Sequence, residues 1–285
     1  MGLTAYLLLA LKASVALLIF AAGLGSRLKD FTYLTQRPRV MLRSLLAMYV
    51  VVPLLALVAV KLLRLPEGVE IALLVLAISA GAPLLPRKLM RLGNEEYVFS
   101  LVVISSLLAI VTVPAWLTVL EPQFTRLDTV DAGKVAVVLG KSFLLPLLLG
   151  MAARWLLRDA SDRVSDTLLK AVGVVFSACA LTLLATHWQL IAAIFGLPLL
   201  ALGGFTLAAL GVGHLMGGPD PNDRTALAVT CATRHVGVAM VIAAATPGPR
   251  TVVLIVAYMV ASALVIIPYM KWRSRVTPAG LKRSA

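Results

Sequence analysis

The sequence is poor in charge. Only 14% of its 285 residues are Asp, Glu, Lys or Arg, whereas a soluble domain carries about a quarter. Apolar residues make up 60% of the chain, and the mean hydropathy is +0.97. One water-soluble core cannot absorb that surplus, so a soluble enzyme and a disordered chain are both excluded. The apolar runs are continuous rather than alternating, which excludes a transmembrane β-barrel. Cysteine is nearly absent. Cys179 and Cys231 both fall inside apolar runs, and they imply neither a disulfide framework nor a structural metal site. Carboxylates are missing where an intramembrane enzyme would need them: all thirteen Asp and Glu lie in loops or at the ends of apolar runs. Aspartyl or metal chemistry at depth has no residues to work with. Ser105 or Cys179 with a distant His forms no recognisable nucleophile motif, so the chain reads as a non-enzyme, and an intramembrane enzyme stays only as an unfavoured alternative.

What is present is a set of segments long enough to cross a bilayer, which takes about 20 apolar residues each. Nine can be read, at about 3–24, 42–62, 71–92, 97–119, 134–157, 166–186, 189–215, 225–246 and 251–271. The expected fold class is therefore an all-α polytopic membrane protein. The loops are short and no segment is of low complexity, so residues 1–285 are read as a single domain. The first segment reads as a span rather than a leader, because it lacks a basic start and Lys12 interrupts it.

The net charge of +13 would suggest nucleic acid as a partner in a soluble protein. Here the bilayer is the partner, no nucleic acid is expected, and the charge follows the rule that cytoplasmic loops collect Lys and Arg. With the N-terminus outside, the inner loops and tail hold 18 basic residues and the outer loops five. The expected location is the plasma or inner cell membrane, multi-pass, with the C-terminus cytoplasmic. Three cations fall within spans: Lys12, Lys141 and Arg234.

Two spans are interrupted at mid-depth. In the third, Ile71 to Ala80 covers only about 15 Å, half the hydrocarbon core. Gly81-Ala82-Pro83-Leu84-Leu85-Pro86 follows, then Arg87 and Lys88. A glycine and two prolines remove backbone donors and disfavour helix; an ordinary proline kink is the plainer reading. In the eighth, Thr230-Cys231-Ala232-Thr233-Arg234-His235-Val236-Gly237 lies between apolar arms. A central Arg costs from about 3 to over 10 kcal/mol unless it meets a polar cavity, a counter-charge or carbonyls; snorkelling or an interhelical contact are the plainer readings. Matched breaks five spans apart suit an inverted repeat whose half-helix ends point into a midplane cavity, as in secondary transporters.

From Phe20-Ala21-Ala22-Gly23-Leu24 and the basic loop to Arg37-Pro38-Arg39, through Val52-Pro53, to the breaks at Gly81–Pro86 and Val236-Gly237, the chain resembles the bile acid:sodium symporter family. That family belongs to the wider bile/arsenite/riboflavin transporter superfamily, and the chain resembles its nine-helix type, which lacks the first helix. The resemblance implies a panel of helices 1, 5 and 6 (about 3–24, 134–157, 166–186) and a core of the rest (about 42–119 and 189–271). Helices 3 and 8 would be broken and crossing. It also implies sodium-driven transport of organic anions by alternating access.

The departures are specific. Where sodium-coupled relatives place a Glu, a Gln and an Asn at the second crossover, this chain has Thr230, Arg234 and His235. A Gln on the second helix corresponds to Met48, and the first crossover's Ser-Asn pair falls within Leu84 to Pro86. Sodium prefers hard oxygen ligands. Any such site would draw on Thr230, Ser105 and Ser106, with Thr233, Ser79 and free carbonyls in support. The expectation is that Arg234 holds the electrostatic place of sodium and helps bind a small or amphipathic organic anion, and that His235 titrates near neutrality as a proton-coupling group. No cofactor is expected beyond sodium or a proton as coupling ion. The expected crossover and substrate residues are Ser79, Gly81, Ala82, Pro83, Pro86, Arg87, Thr230, Cys231, Thr233, Arg234, His235 and Gly237. Lys12, Met48, Ser105 and Ser106 are candidates for a cation or gating role. Lys12 and Lys141 also read as snorkelling side chains. Cys231 leaves metalloid export of the arsenite type as an alternative, against simple packing. Trp116, Trp155, Trp188 and Trp272 suit interfacial belts, and Gly203-Gly204 suits close helix packing. Substrate, transport direction and a monomeric or dimeric state stay open.

The orientation has a direct test. Green fluorescent protein fused after Ala285 is expected to fluoresce and alkaline phosphatase at the same point to be inactive; the opposite pair of results would reverse the topology.

Overall fold

The computed structural model describes residues 3–26, 32–79, 95–120, 132–157, 160–193, 195–243 and 250–276. Among them the regular structure is entirely helical. In chain order the helices are α1 (Leu3–Gly25), the single turn α2 (Thr32–Thr35), α3 (Pro38–Leu63) and α4 (Glu67–Ile78). Next come α5 (Glu95–Leu120), α6 (Ala132–Leu139 running through Gly140–Leu144 into Leu145–Leu157) and α7 (Ser161–Thr186). The chain closes with α8 (Trp188–Ala193), α9 (Leu197–Met216), α10 (Pro221–Thr233), α11 (Val236–Ala243) and α12 (Arg250–Val276). Among the described residues six helices are long and apolar enough to cross a membrane: α1, α3, α6, α7, α9 and α12. Large apolar side chains such as Leu62, Val111, Leu156 and Leu207 are exposed, which suits lipid as the surrounding solvent.

Elementary backbone chemistry sets many of the ends. Pro38, Pro198 and Pro221 stand in first turns, where a missing N–H costs nothing. Asp220 caps α10 by accepting the N–H groups of Asn222 at 2.7 Å and Asp223 at 3.3 Å. Arg64 ends α3 in the left-handed region, with φ 45°.

The seventh expected span needs correction. A continuous helix over 189–215 is not observed: α8 stops at Ala193 and α9 begins at Leu197. Gly196, at φ 103°, makes a turn open only to glycine, and Pro198 then starts a new helix.

Two helices carry a π turn followed by proline. In α3 the turn is Ala47–Val51, and the Val52 N–H bonds the Ala47 carbonyl five residues back. In that pattern the Met48 carbonyl would take its donor from Pro53, which has no N–H. In α6 the turn is Gly140–Leu144, the Leu145 N–H bonds Gly140, and Pro146 fails the Lys141 carbonyl in the same way.

α1 packs against α6 and α7. A Cβ on Gly150 would meet the Phe20 carbonyl, and one on Gly23 would meet the Leu147 carbonyl, so α1 and α6 touch backbone to backbone. Ser165 Oγ donates to the Ala21 carbonyl at 2.7 Å. Arg154 Nη1 reaches the Leu24 carbonyl at 3.0 Å and Asp162 at 2.8 Å. A second group is built on α9, which lies against α10 and α12, with α12 also packed on α4, α10 and α11. Its close contact is at Gly213, where a Cβ would stand 2.6 Å from the Ala228 Cα. Gly203 and Gly204 have open space instead, so they are not the packing pair expected. At the end where α10 begins, the Tyr33 hydroxyl donates to the buried Asp223 carboxylate at 3.0 and 3.2 Å. Arg37 donates to the same hydroxyl and stands 3.9 Å from Asp223. Burial and then the Asp223 charge push the Tyr33 phenol above its ordinary range, so it stays protonated and donating.

Gly150→Val is expected to drive a side chain into the α1 backbone and to cost about 1–3 kcal/mol, as overpacking does. Gly203→Ala is expected to leave the thermal midpoint in detergent unchanged. Equal midpoints for the two variants would contradict the α1–α6 contact.

Candidate functional site

α10 and α11 are consecutive helices separated only by Arg234 and His235, which are not helical. Arg234 has φ 50° and ψ 167°, a region that disfavours every residue but glycine by about 1–3 kcal/mol. A break in a buried helix frees backbone groups that need new partners, and several of those freed here have one. The His235 N–H donates to the Ser79 carbonyl at 2.9 Å, which joins the α10–α11 break to the end of α4 backbone to backbone. The Arg234 N–H keeps the Thr230 carbonyl at 3.4 Å. The Ala232 carbonyl, which in a continuous helix would serve residue 236, accepts from the Tyr258 hydroxyl of α12. His235 restarts the helix. Its carbonyl accepts the Ala239 N–H at 3.1 Å and its Nδ1 accepts the Val238 N–H at 3.4 Å, so the ring serves as an N-cap. On the other side α4 ends at Ile78, and the Ser79 N–H and hydroxyl both turn back to the Val75 carbonyl.

The Arg234 side chain is 1% exposed. Its Nε donates to the Leu76 carbonyl at 3.1 Å and its Nη2 to the Met48 carbonyl at 3.2 Å. Both acceptors follow from local sequence. Leu76 lies in the last turn of α4, where its carbonyl has only the shared Ser79 N–H at 3.2 Å and carries the negative end of the helix dipole. Met48 is the carbonyl that Pro53 cannot serve. Its neighbour Tyr49 has a carbonyl that accepts Trp116 Nε1 at 2.9 Å, and the Tyr49 hydroxyl donates to the Ser105 carbonyl at 2.7 Å. One guanidinium therefore links α3, α4 and the α10–α11 break. Its Nη1 is buried with no hydrogen-bond partner among the described residues.

Arg234 and His235 also line a cavity of about 630 Å³ between this crossover and α1 and α7. The wall is mostly apolar, with Leu18, Val174, Phe176 and Met259. A second cavity, of about 430 Å³, lies between α1, α6 and α11, and Lys12, Lys141, Ser142 and Gly237 are on its wall. Val15 and Gly237 line both. A Cβ on Gly237 would strike the Val15 side chain and come within 3.0 Å of Phe143, so glycine lets α1 and α6 close on the break here. The His235 ring meets Phe143 edge to face, centroids 4.5 Å apart.

Ser79, Thr230, Arg234, His235 and Gly237 thus converge on one crossing. Met48 is there through its carbonyl rather than its side chain. Thr233 bonds back to the Val229 carbonyl at 2.9 Å. Ser105 is buried and meets the crossing through Tyr49; the Ser106 side chain and residues Gly81, Ala82, Pro83, Pro86 and Arg87 lie outside the described residues. Cys231 is fully buried and lines neither cavity. Three residues of the site escape a reading for charge and helix breakers: Tyr258, Tyr49 and Trp116. A lone hydroxyl inside an apolar run is the signal for Tyr258. Trp116 is no mere belt residue, since it serves a freed carbonyl. Among the described residues there is no group of three or more His, Cys, Asp or Glu that could hold a metal ion.

Residues 13–196 match the Sodium Bile acid symporter family, which is more than half of the chain. The matched stretch stops before the Arg234–His235 break. Comparison with curated proteins gives no match.

Arg234→Met would leave the Leu76 carbonyl with only the Ser79 N–H and strip the Met48 carbonyl of its Arg234 donor, at about 1–3 kcal/mol for a group left unsatisfied. The thermal midpoint in detergent is expected to fall, with Arg234→Lys in between because an ammonium cannot fork to both. An unchanged midpoint for Arg234→Met would mean that the cost of burying the guanidinium cancels its bonds.

Proposed function

The chain belongs to the Sodium Bile acid symporter family, whose members are membrane transporters, and from that premise we propose that it is a secondary active carrier of a small or amphipathic organic anion. In this reading it crosses the membrane nine times, as an inverted repeat with its first helix missing. The panel is α1, α6 and α7, and the remaining helices form the core. Transport is by alternating access, the core moving against the panel, in a cell membrane with the C-terminus cytoplasmic.

The observation that carries the anion is the buried Nη1 of Arg234, a charged donor without a partner among the described residues, on a residue that walls an apolar cavity. An anionic group would supply the missing acceptor while its apolar body fills the cavity.

The same guanidinium argues against sodium at the crossing. It occupies two carbonyls that could otherwise coordinate a cation, and Thr230, at the position of the sodium-coupled relatives' carboxylate, brings no charge. A sodium ion about 4 Å from the guanidinium would be repelled by about 4 kcal/mol at an effective dielectric constant of about 20. Arg234 thus holds the crossed half-helices together as a fixed charge. Proton coupling through His235 would have to sacrifice the Nδ1 acceptor that caps α11, which makes protonation a lever on the break itself.

The test is thermal unfolding of the purified protein with a panel of organic anions, in sodium and in choline at equal ionic strength. A ligand that binds only the folded state raises the midpoint. Equal stabilisation in both salts is expected, and its loss in Arg234→Gln. Stabilisation confined to sodium would refute Arg234 as the resident cation.

A further inference from the structure

The second cavity holds two cations that the crossover does not use. Lys12 comes from the middle of α1 and Lys141 from the π turn of α6, and both wall the same space of about 430 Å³. Neither has an ion-pair partner among the described residues, and no described residue of the lining is acidic. Two lysines that merely snorkel would each run to the nearest headgroups. These two, from different helices and both exposed, line one pocket together with Ser142. The rest of the wall is apolar: Val15, Val138, Phe143 and Met240 among others. π turns often mark functional sites because they re-aim a side chain, and here the turn carries Lys141.

We propose that Lys12 and Lys141 form a subsite for the dianionic head group, a phosphomonoester above all, of the amphipathic anion. The inference rests on the anion-carrier reading. Two ammonium groups on the wall of one pocket repel one another, and a single dianion neutralises both where a monoanion leaves one charge over. Lysine binds phosphate as a point charge. Because Val15 against Gly237 stands between this pocket and the one at Arg234, withdrawal of α1 from Gly237 would join them. A ligand spanning both would then set its dianionic head group on the lysines and a second acceptor at the Arg234 Nη1, with its apolar body between them.

The experiment is isothermal titration of the purified full chain in detergent with three probes sharing one ring system: 1-naphthyl phosphate, 1-naphthalenesulfonate and 1-naphthol. The pH is held about two units above the phosphate's second ionisation, near 6. The phosphate is expected to bind about tenfold more tightly than the sulfonate, and naphthol more weakly than either. Lys12→Gln and Lys141→Gln are each expected to erase most of the preference for phosphate, Lys12→Arg to keep it, and Lys61→Gln, outside the cavity, to change nothing. Unliganded midpoints check that the variants fold; if a Gln variant fails, the Arg variant against wild type at varied ionic strength carries the comparison, the phosphate preference shrinking with salt. Dihexanoyl phosphatidic acid presents the same head group on a lipid. Its binding above or below naphthyl phosphate places the natural ligand in the bilayer or in water, and lysine dependence supports the subsite either way. If both anions bind equally, or the preference survives both Gln substitutions, the subsite is refuted while the anion reading stands. If neither anion binds better than naphthol, both fall.

Discussion

A helix that stops inside a membrane must find new partners for the backbone groups it releases, because the lipid offers none. That requirement organises the centre of this molecule. The ends of α4, α10 and α11 meet there, and carbonyls left short of a donor by a helix end or a proline are met by a short set of side chains: Arg234 on the carbonyls of Leu76 and Met48, Tyr258 on Ala232, Trp116 on Tyr49, with the His235 amide on Ser79 directly. None of these bonds is exotic. Together they make a polar knot in a protein that is otherwise an apolar solid.

The knot also explains how an unfavourable residue is tolerated. Arg234 combines a backbone conformation suited to glycine with a buried charge and no carboxylate partner in the described residues. Carbonyl dipoles replace the counter-ion, and the end of α4 contributes its dipole as well. Proline takes part at a distance. Pro53 presents no donor to Met48, and so prepares an acceptor for an arginine 186 residues further along the chain.

Much of this could be read in the sequence because membrane constraints are local. A run of apolar residues is a span whatever its neighbours are, and Arg-His in mid-run marks a break because continuous helix gives such a pair no reason to be there. The division of α8 from α9 was less legible: Gly196 lies in a stretch as apolar as any span, and only its positive φ ends the helix. Gly203-Gly204 looked like a contact and faces open space, while Gly213 and Gly150 make the close approaches. Glycine alone says that a backbone can come near, and only the packing says whether one does. The roles of Trp116 and Tyr258 were hidden for a related reason: the carbonyls they serve belong to other helices.

The partners of the Ala232–Gly237 segment differ in kind on its two sides. Towards α3, α4 and α12 it is tied by hydrogen bonds, which demand an angle and a distance. Towards α1 and α6 it meets Val15 and the edge of Phe143, which demand neither. Dispersion between smooth apolar surfaces changes little when one is displaced by an ångström, whereas a hydrogen bond so displaced is broken. One side of the break is therefore a weld and the other a bearing, and the resistance to relative motion at this depth comes from the bulk of Val15 and Phe143 riding over a residue with no side chain.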